Sequence, residues 1–157
     1  MKNLKIQTGE NNSILRTQSV LVREFGDGLR KFATEMKKTM KAKKGLGLAA
    51  PQVGENMRLI VVTLEDKKVL AMANPVILKH SDDVEVCEEG CLSLPGIYEQ
   101  VSRYASIVVE FKDLDKNRQM LQLFGMDARV VQHEIDHLNG VLFVDRVREL
   151  EAKAVIL

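Results

Sequence analysis

The spacing of apolar and polar positions changes along the chain, and the first regular stretch has the period of a helix. Between residues 28 and 43 apolar side chains recur every three or four positions, while lysines mostly occupy the other positions. This pattern predicts an amphipathic helix with one buried face. Asp27 is suited to cap its start and Gly45 to end it.

A strand-rich region follows this helix. Its segments are rich in β-branched residues or alternate between apolar and polar residues, as strands do. The predicted strands are residues 57–64, 69–73, 97–102, 106–113 and 119–124. Asp115, Lys116 and Asn117 lie between the last two and predict a hairpin turn. Connections this short favour antiparallel pairing over parallel crossovers.

A second long helix is predicted over residues 128–138, which contain the segment HEIDH. Asp127 is suited to cap its start, and Asn139-Gly140 is a typical helix stop. Residues 148–157 look like a short closing helix. The order of elements predicts an α+β fold. In it, antiparallel or mixed β-sheets pack around a central helix that carries the HEIDH segment, with one helix N-terminal to them.

Length and composition fit one domain, which we assign to residues 1–157. Of these residues 45% are apolar, enough for a core, and the net charge is +1. That balance gives no reason to expect direct nucleic-acid specificity or an anionic membrane as partner. No apolar run is long enough for a bilayer or a signal peptide. The two cysteines are too few for a disulfide framework, so a reduced, cytoplasmic compartment is expected.

The segment QHEIDHLNG (132–140) carries the most informative side chains. His133 and His137 are four residues apart on the predicted helix, so both rings project from one side and can bind one metal ion. Glu134 lies about 100° around the helix from His133, where it can reach a water on the metal without being a ligand. The spacing predicts a metal site with a built-in general base. Surface histidines would be the plainer interpretation, but two of the chain's three histidines fall here.

A catalytic metal site needs a third protein ligand and one open position. The candidates in this chain are His80, Cys91, Glu149 and Glu151. Glutamates in those positions would resemble the ligands of some zinc peptidases. Cys91 follows a glycine, Gly90, which permits close backbone approach in a cramped site. Cys87 lies in an alternating polar stretch and is expected to be an ordinary thiol.

Two further features bear on the predicted site. The segment KKGLGLAAPQVG (43–54) lacks the signatures of nucleotide-binding loops. Its small residues would let another backbone come close, and the side-chain amide of Gln52 could donate to a developing oxyanion. Asp136 faces away from the metal side of the helix and is expected to pair with a buried arginine, Arg103.

Three segments in this order resemble the signature motifs of the peptide deformylases. They are GLGLAAPQ (45–52), EGCLS (89–93) and QHEIDHLNG (132–140). The resemblance extends from about the first helix to Arg146, and the three motifs together are far more specific than the two histidines and glutamate alone. It implies that Cys91 is the third metal ligand, beside His133 and His137.

The resemblance also implies the reaction. A metal-dependent hydrolase would remove the N-formyl group from the N-terminal methionine of newly synthesised polypeptides and release formate. Glu134 would take the proton of the attacking water and later give it to the leaving amine. The Gln52 amide and the backbone N–H of Leu92 would stabilise the oxyanion. The cofactor would be one divalent ion, Fe²⁺, for which Zn²⁺, Ni²⁺ or Co²⁺ can substitute.

The substrate, a nascent formyl-methionine polypeptide, would be held in two ways. Some residues would present their backbone to an extended peptide, as in strand addition; these are Gly45, Leu46, Gly47 and Gly90. Others would line an apolar pocket for the methionine side chain; these are Leu92, Met126 and Val130.

Two segments depart from the family pattern. Residues 9–16 lack the proline that often precedes the Leu-Arg pair. Residues 148–157 are short and charge-balanced, whereas many bacterial members have a longer basic helix that docks on the ribosome. We therefore expect at most a transient ribosome contact. Two other interpretations stay open: a zinc peptidase with a glutamate or histidine as third ligand, and a non-catalytic binding module stabilised by a metal.

Overall fold

Seven strands and four α-helices make up residues 3–156, the part of the chain that the computed structural model describes. The strands are β1 (Gly47–Ala49), β2 (Leu59–Thr63), β3 (Val69–His80), β4 (Val84–Cys91), β5 (Leu94–Tyr104), β6 (Ser106–Lys112) and β7 (Arg118–Phe124). The helices are α1 (Ser13–Arg16), α2 (Asp27–Ala42), α3 (Gly125–Leu138) and α4 (Phe143–Ile156), with a 3-10 turn at Ala50–Val53. The predicted α+β class is confirmed.

The strands form two separate antiparallel sheets. One has five strands in the order β1-β2-β3-β6-β7, and β4 pairs with β5 in the other. The predicted hairpin between β6 and β7 is confirmed, with Lys116 in the left-handed region at φ 68° and the Asp113 N–H donating to the Asn117 carbonyl at 2.9 Å. The β4–β5 hairpin leaves the large sheet after β3 and returns to it at β6.

Strand β2 lies at the centre of the core because both of its faces are covered. Leu59 and Val61 belong to the apolar cluster under α2, whereas Ile60 and Val62 belong to the cluster under α3. Successive side chains of a strand point to opposite faces, so an unbroken apolar run is what a doubly covered strand requires. Each such buried side chain contributes about 1.5–3 kcal/mol. The large sheet is therefore held between α2 and α3.

Helix α2 begins and ends differently from the prediction. Asp27 is its first residue and not its cap. The cap position is Gly26, which has no side chain that could accept a capping hydrogen bond. At the other end the helix stops at Ala42, before Gly45. Lys44 takes the left-handed conformation at φ 57°, and the Gly45 N–H donates to the Met40 carbonyl at 2.9 Å. This closure is a Schellman motif, which satisfies carbonyls of the last turn.

The predicted cap of α3 is wrong, while its predicted end is confirmed. The helix begins at Gly125, so Asp127 lies inside the first turn and accepts a hydrogen bond from the Glu65 N–H at 2.8 Å. A carboxylate there is favourable because the helix N-terminus carries partial positive charge. The helix ends at Leu138, and Gly140 has φ 72°.

Several elements were not predicted, or not with their observed bounds: β1 was not predicted, β3 continues to His80, and β5 spans Leu94–Tyr104. Strand β4 is largely exposed and rich in glutamate, so its pattern did not indicate a strand. Helix α1 is a single turn capped by the Asn12 side chain, and it adds a second helix before the sheets. Helix α4 begins at Phe143 and not at residue 148; the last predicted position, Leu157, lies outside the described residues. Among residues 3–156, no helix is long and apolar enough to cross a membrane.

The predicted pair between Asp136 and Arg103 is confirmed and is part of a larger set. Arg103 of β5 donates to Asp136 of α3 at 2.6 Å, and both are buried. Arg146 of α4 donates to the two oxygens of the same carboxylate at 2.7 and 3.1 Å. One aspartate thus joins a strand and two helices.

We expect Asp136→Asn to lower the free energy of unfolding by about 3 kcal/mol, because it removes the buried negative charge that Arg103 and Arg146 share. Urea denaturation measures the change. The matched control is Asp115→Asn, whose ion pair with Arg30 is exposed and which should change stability little. Equal stability of Asp136→Asn and the wild type would show that the pair does not fix the helix against the sheet.

Candidate metal centre and active site

The tip of the β4–β5 hairpin meets one face of α3 and brings three ligand-type side chains together. Cys91 ends β4, and His133 and His137 are one turn apart on α3. Their ligand atoms all lie within 4.8 Å of one another, and the Cys91 Sγ is 3.3 Å from the His137 Nε2. The other candidates for a third ligand are not part of this cluster.

The excluded candidates have other partners. His80 stacks on Tyr104 with ring centroids 3.7 Å apart. Glu149 pairs with Arg146 on the surface of α4 at 3.4 Å, and Glu151 is exposed on the same helix. None of these three candidates belongs to the cluster of Cys91, His133 and His137, so none of them is the third ligand that a zinc peptidase would need.

The three side chains fit a divalent metal ion by their chemistry. Two imidazoles and one thiolate are ligands that transition metals take, and three protein ligands leave one position open. Two buried polar atoms of this region, Glu134 Oε2 and His137 Nδ1, have no hydrogen-bond partner within the protein. Buried polar atoms are normally paired, so unpaired ones indicate a site that receives further groups.

A buried carboxylate orients His133. The Nδ1–H of His133 donates to Glu89 Oε1 at 2.7 Å, which directs Nε2 towards the cluster. Arg103 donates twice to Glu89, at 2.9 and 3.0 Å, and Arg129 donates at 2.6 Å. Burial would raise the pKa of Glu89, but the hydrogen bonds from His133 and Arg103 outweigh it, so the pKa lies well below its usual range.

The surroundings of the two histidines shift their pKa values in opposite directions. Burial lowers the pKa of His137 well below its ordinary value, so its imidazole is neutral, the form that binds metals. Burial also acts to lower the pKa of His133, but hydrogen bonds to Cys91 and Glu89 outweigh it and raise the pKa to about 10. The surroundings of the His133 ring therefore favour a positive charge, which a metal ion on Nε2 would supply in place of a proton.

Glu134 lies on the cavity side of α3 and is almost fully buried. Burial raises its pKa to about 7. Strand β1 passes very close to it: a Cβ at Gly47 would lie 2.5 Å from Glu134 Oε1 and 2.7 Å from its Cγ. Only glycine permits this approach, which is the reason for a small residue in the 43–54 segment. The sequence predicted that this segment approaches another backbone, but the group that Gly47 approaches is the Glu134 side chain.

The 3-10 turn at Ala50–Val53 holds Gln52 beside the cluster. The Ala49 N–H donates to Gln52 Oε1 at 2.9 Å, which fixes the orientation of the amide. The Gln52 Nε2 then donates to Ser93 Oγ at 3.2 Å and lies 3.5 Å from Cys91 Sγ. The amide N–H groups of Gln52 thus point towards the cluster.

One cavity of about 520 Å³ opens beside these residues. The predicted site residues that line it are Gly45, Leu46, Gly47, Gln52, Gly90, Cys91, Leu92, Met126, Val130, His133 and Glu134. Of the predicted set, His137 does not line it, since it is buried behind Cys91. Leu94, Ile97 and Tyr98 line the cavity as well and were not predicted, because strand β5 gave no chemical signal of a site.

Glu89, Arg129 and Ser93 were also missed as site residues. Glu89 and Ser93 lie inside the EGCLS segment, directly beside Gly90 and Leu92, so the segment itself was the available signal. Arg129 precedes the HEIDH segment by one helical turn, and nothing in its sequence context indicated a role in the site. Its side chain is instead buried and also donates to the carbonyls of Val101 and Glu85.

Comparison with known proteins gives a consistent result. Residues 4–153 match the family model described as polypeptide deformylase. A relative from Thermosynechococcus vestitus named peptide deformylase is 45% identical over 138 residues, which are 85% of this chain and 73% of the relative.

Solved structures agree with the sequence relatives. The crystal structure of peptide deformylase from Thermotoga maritima has a TM-score of 0.90 at 38% identity, covering 93% of this chain and 98% of that one. A class I type b peptide deformylase from Acinetobacter baumannii, with Met-Ala-Ser bound, has a TM-score of 0.88 at 34% identity, covering 92% and 98%.

We expect Cys91→Ser to lower metal affinity by at least about a hundredfold, because a hydroxyl is not ionised near neutral pH and binds soft metals poorly. Cys87→Ser is the control; Cys87 is half-buried in β4 opposite Val101 and should retain metal. Metal content after dialysis against a weak chelator measures the difference. Retention of metal by Cys91→Ser would remove this cysteine from the ligand set.

Proposed function

The chain belongs to the polypeptide deformylase family, and from that premise we propose which of its residues carry out the reaction. It is a metal-dependent hydrolase that removes the N-formyl group from nascent polypeptides. One observation carries the residue assignment: Cys91 and His133 line a cavity large enough for a peptide end beside Glu134, and the ligand atoms of Cys91, His133 and His137 lie together at its wall. In this proposal α3 is the central catalytic helix of a single catalytic domain.

Cys91, His133 and His137 would hold the metal ion. When bound there, a divalent ion supplies Lewis-acid chemistry, polarising the formyl carbonyl and lowering the pKa of water. Glu89 supports this by holding the His133 ring through its Nδ1, which keeps Nε2 available. Such supporting hydrogen bonds typically change metal affinity by about 10–100-fold.

Glu134 is the general base in this mechanism. Its carboxylate is buried, one of its oxygens has no partner within the protein, and its pKa of about 7 suits proton exchange at neutral pH. It takes a proton from water as the water attacks the formyl carbon. The same carboxyl then donates that proton to the leaving amine, so that formate and a free N-terminus result.

The oxyanion that develops at the formyl carbon would meet two donors from this chain. One is the Gln52 amide, whose orientation is fixed by the Ala49 N–H. The other is the backbone N–H of Leu92, the residue after Cys91. Loss of one such donor costs about 3–4 kcal/mol of transition-state stabilisation.

The peptide would lie along the edge of β1. Because β1 pairs only with β2 in the described sheet, its other edge faces the cavity and can hydrogen-bond an added strand. Gly45, Leu46 and Gly47 would contribute on this side and Gly90 on the other. Met126, Val130 and Leu92 would receive the methionine side chain, and the relative with Met-Ala-Ser bound supports a peptide in this family's site.

We propose a cytoplasmic location, supported by two cysteines that are both free thiols. Any ribosome contact through α4 would be transient, because the acidic and basic residues of Phe143–Ile156 balance. Such a helix lacks the net positive charge that draws a protein to nucleic-acid phosphates.

Glu134→Gln should retain the metal and lower kcat by about 10²–10⁴-fold, because glutamine has a similar size and cannot accept the proton. Formate release from a formyl-Met peptide and metal content are measured on the same preparation. The control is Glu88→Gln, a cavity-lining glutamate that is exposed and is assigned no role in proton transfer. Near-normal turnover by metal-loaded Glu134→Gln would refute the assignment.

We propose Fe²⁺ as the working ion and expect it to give higher turnover than Zn²⁺ in the same stripped protein. Zinc favours four ligands, whereas iron accepts a fifth more readily, and the affinity order alone would favour zinc. The metal-free protein is reloaded with each ion without oxygen, and formate release is compared at equal metal content. The iron form should also lose activity in air. Equal rates would show that the choice of ion does not limit turnover.

A further inference from the structure

A basic surface borders the catalytic cavity where α2 ends. Residues 36–54 contain five lysines and no acidic residue. Two of them, Lys43 and Lys44, line the cavity, and both are exposed; we call this pair the basic rim. Across residues 3–156, neither lysine takes part in an ion pair.

The backbone of the basic rim is fixed by the Schellman closure of α2. The Lys44 N–H donates to the Lys41 carbonyl at 3.0 Å, and the Gly45 N–H donates to the Met40 carbonyl at 2.9 Å. The backbone at Lys43 and Lys44 is therefore held in place, although the ammonium groups of both side chains lie in solvent. Removal of the charges need not disturb this backbone, provided that the residue at 44 tolerates the left-handed conformation.

The lysines near the end of α2 act on one another. The pKa of Lys37 is lowered, first by burial and then by repulsion from Lys41 one turn away. Lysines in the last turn of a helix also stabilise its dipole, which accounts for Lys41. Lys43 and Lys44 lie beyond the last helical residue, Ala42, so stabilisation of the helix dipole accounts for them less well.

The position of the rim relative to Glu134 indicates which part of a peptide it meets. Gly47, the first residue of β1, lies against the Glu134 carboxylate, and Leu46, Gly45 and the rim precede it in the chain, outside the strand. An extended peptide advances about 3.3 Å per residue. A peptide with its formyl end at Glu134 that runs from Gly47 past Leu46 and Gly45 therefore brings its third and fourth residues to the rim.

We propose that the basic rim gives this deformylase a preference for acidic side chains at the third and fourth residues of the formylated polypeptide. The inference rests on the proposed function and specifies its substrate class. Glu88 lines the opposite wall, but it is one carboxylate against two ammonium groups. For two solvated acidic residues we expect about a three- to tenfold higher kcat/KM at low salt.

The test compares formyl-Met-Ala-Asp-Asp-Ala-Ala-Ala-Ala-amide with its Asn-Asn counterpart on the metal-loaded enzyme. Formate release is measured at about 20 mM and at about 500 mM NaCl, which shortens the Debye length several-fold. A third peptide carries the two aspartates at residues 7 and 8, beyond the rim. We expect the Asp/Asn ratio of kcat/KM to be high for residues 3 and 4, to fall towards one in high salt, and to be near one for residues 7 and 8.

The variant Lys43→Gln with Lys44→Asn removes both charges and keeps the backbone, because asparagine tolerates the left-handed conformation. Its matched control is Lys67→Asn with Lys68→Gln. That pair is also exposed, Lys67 also has φ 68°, and neither residue lines the cavity. The rim variant should lose the Asp/Asn ratio and the control should keep it.

Several outcomes would overturn the inference. The first is an Asp/Asn ratio of kcat/KM near one in the wild type, and the second is an unchanged ratio in the rim variant. The third is an equal loss of the ratio in both double variants, which would show that net charge alone sets the preference. A separate failure is possible for the proposed function, namely no formate from the Asn-Asn peptide in any form. Calorimetric affinities of the same peptides for the metal-loaded protein would then still decide whether the rim selects acidic residues.

Discussion

The buried carboxylate of Glu89 is the interaction on which the rest of the site depends. It accepts hydrogen bonds from His133, Arg103 and Arg129, so it ties α3 to the β4–β5 hairpin from within. An isolated carboxylate there would be too costly to bury, and its three charged or polar donors offset that cost. Removal of any one donor would leave charge unbalanced in the interior. The position of Cys91 follows, because the same hairpin carries it to the histidines.

The parts of the fold that follow from local spacing could be predicted from the sequence. The face shared by His133, Glu134 and His137 results from helical periodicity alone, and the doubly covered strand β2 is visible as an unbroken apolar run. Helix starts were less predictable. Asp27 and Asp127 each lie inside the first turn, because an aspartate is favourable at the cap and in the first turn alike.

The non-local charge pairs could not be predicted in the same way. Arg129 and Glu89 are 40 residues apart, and each reads as a surface residue until the fold brings them together. Arg103 and Asp136 were paired correctly because the helix pattern turned Asp136 away from the histidines. For Cys91, the residues alone left several third ligands open, and only the resemblance selected it. In the structure the ligand atoms of Cys91, His133 and His137 lie together, and the role of each residue is a proposal.

The separation of the two sheets has a consequence for motion. Strands β4 and β5 hydrogen-bond only to each other within the described sheets, so the hairpin is joined to the remainder mainly by side chains, with a backbone bond from Gly9 to Ser93 at its tip, and not by a shared ladder. Such a unit can open cooperatively at a lower free energy than global unfolding. Any molecule held between the hairpin and α3 binds only the closed form and favours it by mass action. A molecule bound in the cavity therefore lowers the open fraction of the hairpin, and a change that rigidifies the closed hairpin tightens binding of that molecule.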